Sequence, residues 1–170
     1  MSFQICALAK EPFADLFTAS DETLASRLAM RIIATKKPGF PCRVSLQDAE
    51  IGEEVVLVHY RHQPANTPFQ ASHGIYIRAK ARQAGFAANE IPEMLRSRII
   101  SLRGFDQTGM MVAADLADGK DLEPVIENLL SDPQIAYVHL HFAKAGCYAA
   151  RIERALRSSQ GQLATQENQR

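Results

Sequence analysis

The chain has 170 residues, of which 46% are hydrophobic and 22% charged, and its 19 basic residues balance 19 acidic ones. A chain of this length fits one domain whose core is large enough to fold without a metal ion or a disulfide. A net charge of zero argues against a general nucleic-acid binder, because such proteins use a basic excess to neutralise phosphates.

The cysteine content and the N-terminal residues predict a protein of the reducing cytoplasm. Cys6, Cys42 and Cys147 are odd in number and far apart, which does not fit a disulfide framework or a paired-cysteine metal site. The first residues lack the basic start of a signal peptide, and no stretch approaches the roughly 18 apolar residues that a bilayer span requires. We therefore expect free thiols, a cytoplasmic location and no membrane partner.

Hydrophobic periodicity and capping residues predict a series of short strands with a few helices between them. The predicted strands are 3–9, 31–35, 55–60, 74–81, 98–105, 110–116, 135–142 and 147–152, the last with a helix as the rival interpretation. The predicted helices are one opened by Pro12, one that Ser20 caps and that runs to about Met30, a short one over 91–96 and an amphipathic one over 121–130.

The order of these elements predicts an α+β fold. Most strands follow one another with short turns, so we expect a largely antiparallel sheet with helices packed against it, forming a single domain over residues 1–157. Residues 158–170 are polar and are expected to form a disordered tail.

The first stretch with candidate chemistry is Pro41-Cys42-Arg43, which follows the rigid turn around Pro38 and Gly39. An arginine beside a thiol favours the nucleophilic thiolate, which makes Cys42 a candidate nucleophile. The alternative is that Cys42 is a small core residue, since unpaired cysteines are among the most buried residue types.

The second stretch is the predicted strand that carries Tyr137, His139 and His141 on one face. Two histidines at this spacing can bind one metal ion from the surface of a sheet, provided that a third ligand comes from elsewhere. His59 and His62 are the candidates. Residues three apart on a regular strand face opposite ways, so both can join one site only where the strand ends or bulges between them.

The third stretch is Gly146-Cys147-Tyr148-Ala-Ala-Arg151. Cys147 and Arg151 are four residues apart, which predicts a shared face on a strand and on a helix alike. A thiol beside a guanidinium can hold an oxyanion or a carboxylate. The alternative is a structural salt bridge from Arg151 to Glu153 or to a neighbouring strand.

Short stretches of distinctive residues occur over nearly the whole chain except the tail, and together they resemble a known family pattern. They are 38–49 with Gly52-Glu53, 60–64, 68–69, 75–78, 95–98, Asp106 with 109–111, 132–133, 136–141 and 146–151. In combination they resemble the bacterial domain-of-unknown-function family numbered 1203. That family commonly has an asparagine where this chain has Phe142, and a serine-glycine-proline run at Ser72-His73-Gly74. The resemblance implies no established reaction, cofactor or catalytic residue.

These observations leave three hypotheses open. The first is a site for a small anionic ligand, enzymatic or not. Its catalytic candidates are Cys147, His139, His141 and Cys42, and its ligand-binding candidates are Arg43, His62, Arg151, Tyr148 and Tyr60. The second is a non-catalytic homodimeric module that uses the histidine-bearing face together with Tyr76 and Arg78. The third is a metal protein built on His139 and His141. No cofactor and no complete set of metal ligands is assigned from the sequence.

Overall fold

A computed structural model describes residues 2–155 of the chain, so the predicted tail lies outside the described residues. The described residues form two antiparallel sheets with helices packed against them, which confirms the predicted α+β class. The strands are β1 Phe3–Cys6, β2 Ala29–Ile33, β3 Glu54–Gln63, β4 Ala71–Arg78, β5 Ile99–Phe105, β6 Met111–Asp118, β7 Tyr137–Phe142 and β8 Tyr148–Arg154. The helices are α1 Asp21–Ser26, α2 Glu93–Arg96 and α3 Leu122–Ser131, with 3₁₀ helices at Glu11–Phe17 and Gly119–Asp121.

The strands divide into a large sheet and a small sheet. The large sheet has the order β1-β8-β7-β5-β6, and the small sheet has the order β2-β3-β4. Every neighbouring pair is antiparallel. The prediction of antiparallel pairing is therefore confirmed, whereas the division into two sheets was not predicted. None of the helices in residues 2–155 has the length and apolar character needed to cross a membrane.

Each sheet has its own hydrophobic core. One face of the large sheet packs against α3, which buries one stripe of its apolar residues as its 3.6-residue periodicity predicts. The core residues here include Ile100, Leu102, Val138, Leu140, Ile126 and Leu130. The small sheet buries its inner face against the N-terminal helices, through Val56, Val58, Ile75, Ile77, Leu16 and Leu24.

The helix capped by Ser20 is shorter than predicted. Its cap is confirmed, because the Ser20 hydroxyl accepts a hydrogen bond from the Thr23 amide. The helix ends at Ser26, and Leu28 adopts a left-handed conformation with a φ of 51°. A helix cannot continue through that conformation, so the strand that was expected at 31–35 begins at Ala29.

Strand β7 is buried on both of its faces. Val138 and Leu140 point into the core beneath α3, as the alternation predicts. Tyr137, His139 and His141 point the other way, and they are covered as well. The cover comes from the end of β3 in the small sheet, which brings His62 to within 5.7 Å of His139 between ring centroids. The candidate site therefore lies between the two sheets.

Candidate functional site

A β-bulge in β3 decides which histidine of that strand reaches the large sheet. Tyr60 pairs with His73, while Gln63 pairs with Ala71, so β3 carries one residue more than β4 between these pairs. A bulge of this kind re-aims the side chains around it. As a result the successive residues His62 and Gln63 are both buried, whereas His59 is exposed.

His62, His139 and His141 form a compact group, which we call the histidine cluster. Each residue offers one ring nitrogen, and these three nitrogens all lie within 4.8 Å of one another. The ring centroid of His62 is 5.0 Å from that of His141, and the two rings meet edge to face. Of the two candidates His59 and His62, it is therefore His62 that lies beside His139 and His141.

Tyr148 covers the histidine cluster from β8. Its ring stacks on His62 at 5.1 Å between centroids, with an interplanar angle of 11°. The same ring meets His139 at 5.1 Å and His141 at 5.9 Å, edge to face in both cases. Tyr60 lies behind it at 6.4 Å. Of the two tyrosines predicted to bind a ligand, Tyr148 is therefore in direct contact with the cluster and Tyr60 packs against Tyr148.

Burial keeps the three imidazoles neutral. His139 and His141 are 2% and 1% exposed, and His62 is 9% exposed. Desolvation is the main cause that lowers the pKa of His62 to about 4 and the pKa values of His139 and His141 to about 3 each. The positive charge of Arg103 lowers the pKa of all three further. At neutral pH each ring therefore keeps one nitrogen with a free lone pair.

The tautomer of His141 follows from its hydrogen bond. Its Nδ1 lies 2.9 Å from the carbonyl oxygen of Gly146, which can only accept, so Nδ1 donates and carries the proton of the neutral ring. Nε2 then holds the lone pair, and it is buried with no hydrogen-bond partner within residues 2–155. The Nδ1 atoms of His62 and His139 are buried and without such partners in the same part of the chain. Buried polar atoms left in this state point to an ion, a water or a functional role.

A second layer of side chains supports the cluster, and of these residues the sequence analysis singled out only Tyr137. The Gln63 amide donates a hydrogen bond of 2.9 Å to the Tyr137 hydroxyl, and the ring of Phe105 stacks on Tyr137. Arg103 lies opposite His139 on β5. Only the register between β5 and β7 places Arg103 there, and no local spacing could have indicated it.

Arg43 does not point into the histidine cluster. Its guanidinium is 1% exposed and donates to the carbonyl oxygens of Tyr148 and Pro41 and to Cys147 Sγ at 3.0 Å. It also lies over the ring of Phe142, at 5.1 Å from the centroid. Desolvation lowers the pKa of Arg43. Arg43 thus holds its loop against the large sheet through hydrogen bonds to Tyr148 and Cys147.

The predicted pairing of Cys147 with Arg151 is wrong. The register between β7 and β8 shifts after Leu140, because His141 pairs with Tyr148 while Leu140 pairs with Ala150. The extra residue breaks the expected four-residue periodicity. Cys147 therefore joins the core and accepts from Arg43. Arg151 pairs with Glu153, as the salt-bridge alternative expected, and it lies 3.7 Å over the Tyr137 ring.

Cys42 matches the interpretation as a core residue. It is fully buried in the core of the small sheet, and its sulfur accepts from the backbone amides of Ser45 and Arg78. The face that carries His139 and His141 is buried within the chain itself. A homodimeric module that presents these two side chains at its surface is therefore incompatible with the structure.

Two surface clefts lie away from the histidine cluster. One is lined by residues around Gln4, Phe86 and Glu153, and the other by residues around Ser45, Arg78 and Phe86. Neither cleft includes a member of the cluster or Tyr148. Because His139 and His141 are almost fully buried, the surroundings of the three histidines suit an ion or a very small ligand better than a large organic molecule.

Comparisons with known proteins place the chain in a family. No curated protein and no solved structure shows a significant match to it. A family model described as "Protein of unknown function (DUF1203)" matches residues 39–154, a span that includes the whole histidine cluster. The match covers more than half of the chain and confirms the resemblance seen in its signature stretches, so the chain belongs to the DUF1203 family.

Proposed function

We propose that this protein binds one divalent transition-metal ion through His62, His139 and His141. The observation that carries the proposal is the convergence of three buried, neutral imidazoles whose buried nitrogens include three without hydrogen-bond partners in residues 2–155. Imidazole nitrogen suits zinc, copper, iron and nickel, and a set of three histidines leaves one position open for water or substrate.

The spacing of the ring nitrogens fits this use. Ligands bonded to one tetrahedral zinc ion at ~2.1 Å lie roughly 3.4 Å apart. The three nitrogens are already within 4.8 Å of one another, so small side-chain rotations bring them onto one ion. The hydrogen bond from His141 Nδ1 to Gly146 also matches the second-layer contact that orients metal-bound histidines.

The chemical environment favours an ion over a purely structural role. A core that needed only apolar packing would gain more from leucine or phenylalanine, because a buried imidazole without partners loses its hydrogen bonds to water. Tyr148 and the edge-to-face ring contacts shield the site, while His62 keeps a path to the surface through its 9% exposure. With an open coordination position, such a centre supplies a Lewis acid or an activated water.

The test is metal stoichiometry and affinity in protein purified without a histidine tag and freed of metal with a chelator. We expect Zn²⁺ to bind at one equivalent in competition with a chromophoric chelator. Replacing His62, His139 or His141 by Gln should weaken binding at least ~100-fold, since each substitution removes a ligand. X-ray absorption of the loaded protein should show imidazole nitrogen around the ion.

His59→Gln is the matched control, because His59 lies on the same strand as His62 but is exposed. It should bind Zn²⁺ like the wild type. Uptake below about a tenth of an equivalent, against the full occupancy of a tight site, would overturn the proposal. Equal loss in His59→Gln and His62→Gln would overturn it as well, because it would show binding at surface histidines.

A further inference from the structure

Arg103 is placed on the same face as the histidine cluster. In the large sheet it lies directly opposite His139 on β7, and on its other side it lies opposite Ala114 on β6. Directly paired residues of neighbouring strands project to the same face. Ala114 is exposed and too small to cover a guanidinium, and Arg103 is accordingly only half-buried beside His139.

The guanidinium of Arg103 has no partner within residues 2–155, unlike those of the other buried or half-buried arginines. It is half-buried there and forms no hydrogen bond, ion pair or ring contact with those residues. Every other buried or half-buried arginine in the same part of the chain donates at least one hydrogen bond. These are Arg31, Arg43, Arg78, Arg96, Arg98, Arg151 and Arg154.

Arg103 places a positive charge beside the neutral histidine cluster. Desolvation lowers the pKa of Arg103, and the positive charge of Arg103 in turn lowers the pKa of His62, His139 and His141. A divalent ion bound by neutral imidazoles would raise the local positive charge further. Such a site attracts a negatively charged ligand.

We propose that Arg103 binds a small oxyanion, a carboxylate or an inorganic oxyanion such as phosphate, one oxygen of which occupies the open position on the metal ion. The proposal rests on the proposed metal site. The planar fork of an arginine matches two oxygens of one oxyanion, which a lysine cannot reproduce. His139 and His141 are 2% and 1% exposed, so a ligand beside them must be small.

The experiment uses the full chain loaded with Co²⁺, whose visible absorption reports the coordination of the ion. Acetate and phosphate are titrated separately in a buffer free of oxyanions. We expect a saturable change in the cobalt bands with at least one of the two anions. The anion that gives the tighter response distinguishes a carboxylate ligand from a phosphate ligand.

Variants of Arg103 test whether this residue causes the change that an anion produces in the cobalt bands. Arg103→Gln should keep the cobalt bands and weaken anion binding at least ~10-fold, because the charged fork is lost. Arg103→Lys keeps the charge without the fork and should fall between this variant and the wild type. Arg61→Gln, an exposed arginine next to His62, should behave like the wild type.

The outcomes separate the two proposals. Failure of the wild type to develop cobalt bands overturns the metal site and the anion site together. Cobalt bands that no anion perturbs, or an equal anion response in Arg103→Gln and the wild type, overturn the anion site alone. Loss of folding in both Arg103 variants, seen by circular dichroism, would show that the side chain is structural and would also overturn it.

Discussion

His62 and His139 come from different sheets, and their rings meet edge to face with centroids 5.7 Å apart. His62 belongs to β3 of the small sheet and His139 to β7 of the large sheet. Any ligand held by both rings therefore links the two sheets. Binding at the histidine cluster and stability of the fold are consequently coupled.

Zinc should stabilise the wild type against heat. At a free Zn²⁺ concentration 100-fold above Kd, one-site binding adds about 2.7 kcal/mol to the free energy of unfolding. For a domain of this size that corresponds to a rise in Tm of about 5–10 °C. Differential scanning fluorimetry with and without Zn²⁺ measures it. His62→Gln should show no rise and His59→Gln the full one, so a zinc-dependent rise in His62→Gln would contradict the coupling.

The metal-free protein should lose stability on mild acidification. The folded-state pKa is about 4 for His62 and about 3 for His139 and for His141, all lowered chiefly by desolvation. The unfolded chain has the ordinary value of about 6.5 and binds more protons as the pH falls. The contribution of these histidines to the free energy of unfolding is therefore complete above pH ~6.5. Below that pH it is lost, at up to about 1.4 kcal/mol per histidine per pH unit.

Urea unfolding in the presence of a chelator, at several pH values between 8 and 5, tests this dependence. The window lies above the range in which carboxylates titrate, so histidine protonation dominates it. His139→Gln should flatten the slope by about a third, because one of three similar groups is removed. A midpoint that stays constant between pH 7 and pH 5 would show that the three rings are not held neutral.

Arg43 should matter for stability and not for metal binding. Arg43→Met fills similar volume but leaves the carbonyl oxygens of Pro41 and Tyr148 without these donors, which should cost about 2–4 kcal/mol. Arg27→Met is the control, because Arg27 forms an exposed pair with Asp15 and should change stability by less than about 1 kcal/mol. Chemical denaturation measures both. Equal effects, or zinc affinity lost in folded Arg43→Met, would contradict this assignment.

Much of the fold could be predicted because it rests on local patterns. The alternation over 135–142 placed His139 and His141 on one face of β7, and the strands expected over 98–105 and 110–116 form the neighbouring pair β5 and β6. The parity argument also held in part: His59 and His62 do not share an environment, since His62 is buried and His59 is exposed.

The predictions failed where an extra residue enters a strand. The register shift in β8 separates Cys147 from Arg151, although both regular helix and regular strand would have kept them together. The register shift in β3 lets His62 and Gln63 both reach the large sheet. A bulge has no signature in these short stretches, because it is stabilised by contacts with neighbouring strands rather than by the residues in it.

The sequence by itself determined the α+β class, the antiparallel pairing and the family, because each depends on periodicity and on short signatures within the chain. It also determined that His139 and His141 lie on one face of β7. Only the tertiary structure decided that His62 completes the cluster, that Arg103 stands beside it and that Arg43 and Cys147 bind each other. These relationships join residues far apart in the chain through the docking of two sheets, and spacing along a sequence carries no information about such contacts.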